Sequence, residues 1–248
     1  MFKYLFIIRM YSKLLLLIIL MITKIKKSIS ILDKFTLTDI QTKYKSVLFN
    51  NNVPIVLCTG PAGTGKTMIS CNVAIQQLKE KTINKIIITR PTVTVEENIG
   101  FLPGTLEDKL YPFMVPIYDY FLEFYTKDQI NSLISNGRLE VAPLAFMRGR
   151  TFENSFIIAD EMQNSSKNQF KMLLTRIGYN SKLVITGDLE QNDLGINNGL
   201  SDFIKLLEIK YPTIESKKEL GINHITFDRS SIRRHEIIQK ILDIYGDI

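Results

Sequence analysis

One stretch restricts the fold of this chain more than any other: VPIVLCTGPAGTGKTMISCNVAI, from Val53 to Ile75. An apolar run, Val53–Cys58, reads as a buried strand, and Lys66–Lys79 reads as a helix. Between them Gly60, Pro61, Ala62, Gly63, Thr64, Gly65, Lys66 and Thr67 fit G-x-x-x-x-G-K-[ST] without a mismatch. Glycines let such a turn curl so that successive backbone N–H groups point inward at an anion. The lysine then adds a charge near the β- and γ-phosphates of a nucleotide, and the threonine hydroxyl is placed to ligate Mg²⁺. A glycine turn that only joined a strand to a helix would need neither Lys66 nor Thr67.

The rest of the chain repeats that alternation. Short runs rich in Ile and Val recur at Lys85–Thr89, Arg138–Val141, Phe156–Ala159, Lys182–Thr186 and His224–Phe227. Continuous apolar strands of this kind belong to parallel sheets covered on both faces. Helical patterns lie between or beside them at Leu106–Tyr125, Asp128–Ile134, Ser166–Arg176, Leu200–Ile209 and Ser231–Ile244. The expectation is an α/β fold, a mostly parallel sheet with helices on both faces, in one domain over residues 31–248.

Two further strand ends carry polar groups. Phe156-Ile157-Ile158-Ala159 runs into Asp160-Glu161, which suits Asp160 to hold Mg²⁺ through its water shell and Glu161 to polarise an attacking water as general base. Leu183-Val184-Ile185-Thr186 runs into Gly187-Asp188, with Gln191 just beyond, and Asp188 and Gln191 are candidates to sense a γ-phosphate. Gly187-Asp188 is also readable as a plain turn. Parallel sheets bind ligands at the carboxyl ends of their strands, so all three tips would converge on one edge.

Charge raises the question of nucleic acid. The chain has 31 basic and 25 acidic residues and a net charge of +6. Six of the basic residues, Lys3, Arg9, Lys13, Lys24, Lys26 and Lys27, precede the first acid, Asp33; taking them away leaves 25 of each sign. The basicity belongs to residues 1–30, so only a local patch elsewhere would contact a polyanion. Arg148 and Arg150, flanking Gly149, suit phosphodiester contact, and Arg90 is placed to join them. An equal alternative pairs these arginines with carboxylates across a subunit boundary. The aromatic run Tyr111, Phe113, Tyr118, Tyr120, Phe121, Phe124, Tyr125 reads as core or subunit interface.

Residues 1–30 are hydrophobic and basic, and three readings stand: translation beginning at Met10 or Met21, a membrane anchor through residues 4–23, or an organelle presequence. The expected location is cytoplasmic, with membrane anchoring as the alternative. Cys58 and Cys71 fall in apolar strand and helix patterns, as buried thiols rather than a metal site or disulfide.

The ordered motifs resemble the PhoH family of ATPases, which are similar to the nucleotide-binding core of superfamily 1 helicases. Beyond the phosphate loop, the resemblance is carried by Thr89-Arg90-Pro91, Gly100-Phe101-Leu102-Pro103-Gly104, Pro116-Ile117-Tyr118-Asp119, Glu140 through Thr151, Asp160 through Asn164, Leu174 through Gly178 and Thr186-Gly187-Asp188. It implies a RecA-like P-loop NTPase domain that hydrolyses ATP with Mg²⁺ in a hexameric ring. A single strand of RNA or DNA, contacted by Arg148 and Arg150, is the further partner expected. The resemblance also implies roles for single residues. Gln41 would read adenine, or else be a solvated helix residue. Gln191 would touch the γ-phosphate. Arg234, within Arg233-Arg234-His235, would stabilise charge on the transferred phosphoryl group, or else form a surface salt bridge. A nucleotide-gated scaffold with negligible turnover is the competing reading of the same motifs.

Overall fold

The computed structural model describes residues 36–91, 115, 117–191 and 198–232. From Leu37 onward these belong to one unit. Its centre is a six-stranded sheet: β1 (Ile55–Thr59), β2 (Lys85–Arg90), β3 (Leu139–Pro143), β4 (Ser155–Ala159), β5 (Lys182–Gly187) and β6 (Ile222–Thr226). Every ladder is parallel, and the spatial order is β3-β2-β4-β5-β1-β6. All six expected strands are present, displaced by a residue or two at their ends. The helices are α1 (Asp39–Phe49), α2 (Lys66–Lys79), α3 (Lys127–Ser135), α4 (Lys167–Leu174), α5 (Gly199–Lys210) and α6 (Ile214–Glu219).

Alternation along the central strands builds two cores. Leu57, Ile87, Ile157, Leu183 and Ile185 face one way and pack with Phe170 and Leu173 of α4 and Leu200 and Leu207 of α5. The intervening residues Val56, Cys58, Ile86, Ile88, Ile158 and Val184 are equally buried, and α2 with α1 stacked on it lies along the sheet. Burying each such side chain contributes roughly 1.5–3 kcal/mol, which is why these positions tolerate little but aliphatic residues. Both thiols are buried as expected, and burial pushes both up in pKa.

Helix starts explain the next level. Thr38, Thr126 and Ser166 each cap the first turn and receive a glutamine side chain in return, the reciprocal box that satisfies two open N–H groups. Asn198 and Thr213 cap α5 and α6 through their own side chains. α2 differs: it begins at Gly65 in the left-handed region, φ +87°, with no side-chain cap, leaving its first N–H groups facing the loop.

At the opposite end of the sheet Lys182 closes the C-terminal end of α1. Its buried ammonium donates to the carbonyls of Asn50 at 2.8 Å and Val53 at 2.7 Å, and burial lowers its pKa to about 8.

Parts of two expected helices are corrected or fall outside. Residues 117–122 are helical, whereas 106–114 and 116 lie outside the described residues. The expected helix from Ser231 does not begin there: Arg229–Ser231 is a 3-10 turn, Ile232 is extended, and 233–248 lie outside the description. Residues 1–35, with the anchor, presequence and start-site readings, also lie outside it. Among the described residues no helix is long and apolar enough to cross a membrane.

Candidate nucleotide site

The loop Gly60–Thr67 leaves β1, which lies inside the sheet between β5 and the edge strand β6. Its entry depends on Gly60, whose φ of +144° and closeness to Phe227 leave no room for a side chain: a Cβ would stand 2.4 Å from the Phe227 carbonyl oxygen. Lys66 and the Thr64 hydroxyl then rest on the loop's own carbonyls. Lys66 Nζ donates to the carbonyls of Gly60 at 2.6 Å and Pro61 at 2.9 Å, and Thr64 Oγ1 donates to Pro61 at 2.8 Å.

β4 delivers Asp160 beside the loop, 2% exposed. Its Oδ1 accepts the hydroxyls of Thr67 at 2.7 Å and Thr186 at 2.5 Å. Its Oδ2 accepts Nε of Arg90 at 2.9 Å and Nη2 at 2.5 Å. Thr67, the first turn of α2, and Asp160 therefore meet as the sequence requires. Hydroxyl and carboxylate oxygens are the hard donors that suit Mg²⁺, so this pair fits the ion that the family implies. Among the described residues no group of three or more His, Cys, Asp or Glu side chains forms another metal site.

Glu161 follows in a left-handed conformation, φ +55° and ψ +37°, uncommon for a residue with a side chain and typical of functional turns. It is exposed, and its Oε2 accepts the amide of Gln163 at 2.7 Å. The other end of that amide, Gln163 Oε1, accepts the N–H of Asp188 at 3.0 Å. The Asp188 carboxylate in turn accepts the N–H of Ala62, inside the phosphate loop, at 3.1 Å. A line of hydrogen bonds thus joins the loop to Glu161 through Gln163, whose role the sequence reading missed. Its signal was only its place two residues after Glu161. Space for it is kept by Gly187, where a Cβ would lie 3.0 Å from Gln163 Oε1 and 2.5 Å from Leu200 Cδ2.

Several candidates sit elsewhere than a free ligand group would. Gln41 is 2% exposed, so it is not a solvated helix residue. Its Oε1 caps Thr38 at 2.9 Å, and its Nε2 donates to Thr64 O in the loop at 2.9 Å and to Ser231 O at 3.3 Å. Its amide braces the back of the loop. Gln191 is exposed beyond β5, and Arg234 lies outside the described residues.

Two of the three arginines already hold carboxylates. Arg90 is spent on Asp160. Arg150 grips Glu140 with two parallel bonds at 2.6 Å and 2.9 Å while lying 4.7 Å over the ring of Phe152. Lys85 joins the same carboxylate at 2.6 Å, and these partners hold Glu140 down at about 2 in pKa. The carboxylate partners of Arg90 and Arg150 come from their own chain, as guanidinium forks prefer. Arg148 is exposed on the turn after β3.

The family described as PhoH-like protein matches residues 35–246. The chain belongs to the PhoH family. It is 40% identical over 207 residues to the PhoH-like protein of Bacillus subtilis (strain 168), covering 83% of this chain and 61% of that protein. It is 40% identical over 191 residues to the PhoH-like protein of Synechocystis sp., covering 77% and 56%. Protein PhoH of Escherichia coli (strain K12) is 37% identical over 202 residues, covering 77% and 53%. The chain therefore spans between about half and three fifths of the length of these curated relatives. Among solved structures, a Pif1 helicase from Candida albicans aligns over 86% of this chain and 44% of its own, at 16% identity and a TM-score of 0.42. As a PhoH family member, the chain carries a phosphate-loop sequence between a strand and a helix of a six-stranded parallel α/β sheet.

Proposed function

We propose that the chain binds ATP and hydrolyses its γ-phosphate with Mg²⁺. The observation that carries this reading is the meeting of Thr67 and Asp160 at 2.7 Å beside an uncapped helix start, with Glu161 held at the next position. Phosphate oxygens entering the loop would take over Lys66 from the Gly60 and Pro61 carbonyls and receive the open N–H groups of α2. Thr67 and Asp160 would hold Mg²⁺, which when bound neutralises charge on the β- and γ-phosphates. Glu161, exposed and aimed by Gln163, would take a proton from the attacking water. Gln41 would set the position of Thr64 rather than touch the base, since its amide is already engaged.

We extend the reading to a single strand of RNA or DNA as the partner that hydrolysis acts on, with Arg148, an exposed cation on the turn after β3, as its contact. A ring of copies would let a neighbour's arginine, Arg234 in the family reading, complete the site, while Gln191 reports on the γ-phosphate.

The test is phosphate release by the full chain with ATP and Mg²⁺, with and without single-stranded RNA, beside Lys66→Ala and Glu161→Gln. Release by the wild type and by neither variant supports the hydrolysis reading, and stimulation by RNA supports the coupling. ATP binding with no release would leave a nucleotide-gated scaffold in its place.

A further inference from the structure

Asp160 is saturated. An ionised carboxylate offers about four lone-pair positions, and here two threonine hydroxyls take those on Oδ1 while Nε and Nη2 of Arg90 take those on Oδ2. Water molecules in the shell of a metal ion also have to donate to this carboxylate, so at least one present donor must leave. The four are not equally free to go. Thr67 and Thr186 have short β-branched side chains, stiff at χ1, on a helix and a central strand. Arg90 is long, stands at the tip of β2 beside the edge strand, and its side chain is 22% exposed against 2% for Asp160. A guanidinium and a divalent cation also repel each other when both sit on one carboxylate.

Resting on the reading of Mg²⁺-dependent ATP binding, we infer that Arg90 is a competing counter-ion for the magnesium site. It neutralises Asp160 when no metal is held and swings away when Mg²⁺ arrives with its nucleotide. The ion and the Arg90–Asp160 pair are then mutually exclusive. The site binds metal more weakly than its oxygen donors alone would, and it fills only when the nucleotide brings further ligands. Each turnover therefore throws Arg90 outward at the carboxyl edge of the sheet, next to Pro143 at the end of β3.

The experiment is a Mg²⁺ titration of the full chain at a fixed concentration of a fluorescent ATP analogue, reading the metal concentration at half-maximal nucleotide binding. Arg90→Gln removes the competing charge, and the midpoint is expected to fall by about tenfold or more, the scale of losing a charged hydrogen-bonded pair. Arg90→Lys keeps a cation without the two-pronged grip and is expected to fall between the two. It carries the test if circular dichroism shows Arg90→Gln unfolded. A midpoint unchanged in the folded variants overturns the inference, as does one moved to higher Mg²⁺, which would make Arg90 a phosphate ligand. If the wild type binds no nucleotide at any Mg²⁺ concentration, the ATP reading fails and this inference falls with it; Mg²⁺-dependent binding with equal midpoints sinks the inference alone.

Discussion

Gln163 is the residue whose removal separates positioning from binding. It touches neither the phosphate loop nor the expected magnesium position, yet it holds the Glu161 carboxylate at 2.7 Å and takes the Asp188 N–H at 3.0 Å. Gln163→Ala is expected to lower the maximal rate of phosphate release by about tenfold or more while nucleotide affinity changes little, because an unaimed base costs chemistry rather than binding. Steady-state kinetics checks this, and a rise in KM with an unchanged maximal rate would refute it. Asp160→Asn makes the complementary case for stability. Asparagine cannot serve as counter-ion to Arg90, and breaking a mostly buried pair from one side costs about 3 kcal/mol. Urea unfolding measures that loss without any ligand.

The elements show what was readable in the chain and what was not. The four inner strands β1, β2, β4 and β5 were legible because each is a largely apolar run in one short window, buried on both faces by the parallel arrangement. α1 was not, although it packs against α2 and the sheet. Its inward side is Gln41, Tyr44 and Leu48, and a glutamine at the first of those positions hides the helical period. α6 buries none of its residues, so it has no apolar period to read. The site divides in the same way. Gly60–Thr67 and Asp160-Glu161 are contiguous in sequence and were legible. The Arg90–Asp160 pair and the Ala62–Asp188–Gln163–Glu161 line join residues on separate strands, and no local pattern announces them. The edge strand β3 depends on such a contact as well. Glu140 is held to Arg150 and Lys85, with its pKa lowered to about 2 against an ordinary value of 4.5. A depressed carboxylate contributes stability that is complete above its unfolded pKa and is lost as pH falls through its folded pKa. The window here is from about pH 4.5 down to about pH 2. Because the groups are partly exposed and screened, the contribution is about 1 kcal/mol. In Glu140→Gln this part of the acid transition is expected to vanish, which an acid titration followed by circular dichroism will show; an unchanged acid limb would place the effect elsewhere.

At the scale of the molecule the site is a junction. The loop after β1, Asp160 after β4 and Asp188 after β5 come from three adjacent strands, and Thr67 comes from the helix across them. A ligand bound there would tie these strand ends together, and the tie is readable as stability. A ligand that binds only the folded chain stabilises it by RT ln(1 + [L]/Kd), roughly 2.7 kcal/mol at a hundredfold excess over Kd. With about 210 residues in the unit, that corresponds to a rise of several degrees in the unfolding midpoint. MgATP is therefore expected to raise the midpoint of the full chain in proportion to the logarithm of its concentration. Lys66→Ala, which removes a side chain now resting on the loop's own carbonyls, should keep nearly the wild-type midpoint without ligand and lose the rise. Differential scanning calorimetry across a nucleotide series decides it. A Lys66→Ala protein that melts early without ligand would show that the lysine holds the loop together rather than the phosphate. A rise of equal size in both proteins would place the nucleotide at another site.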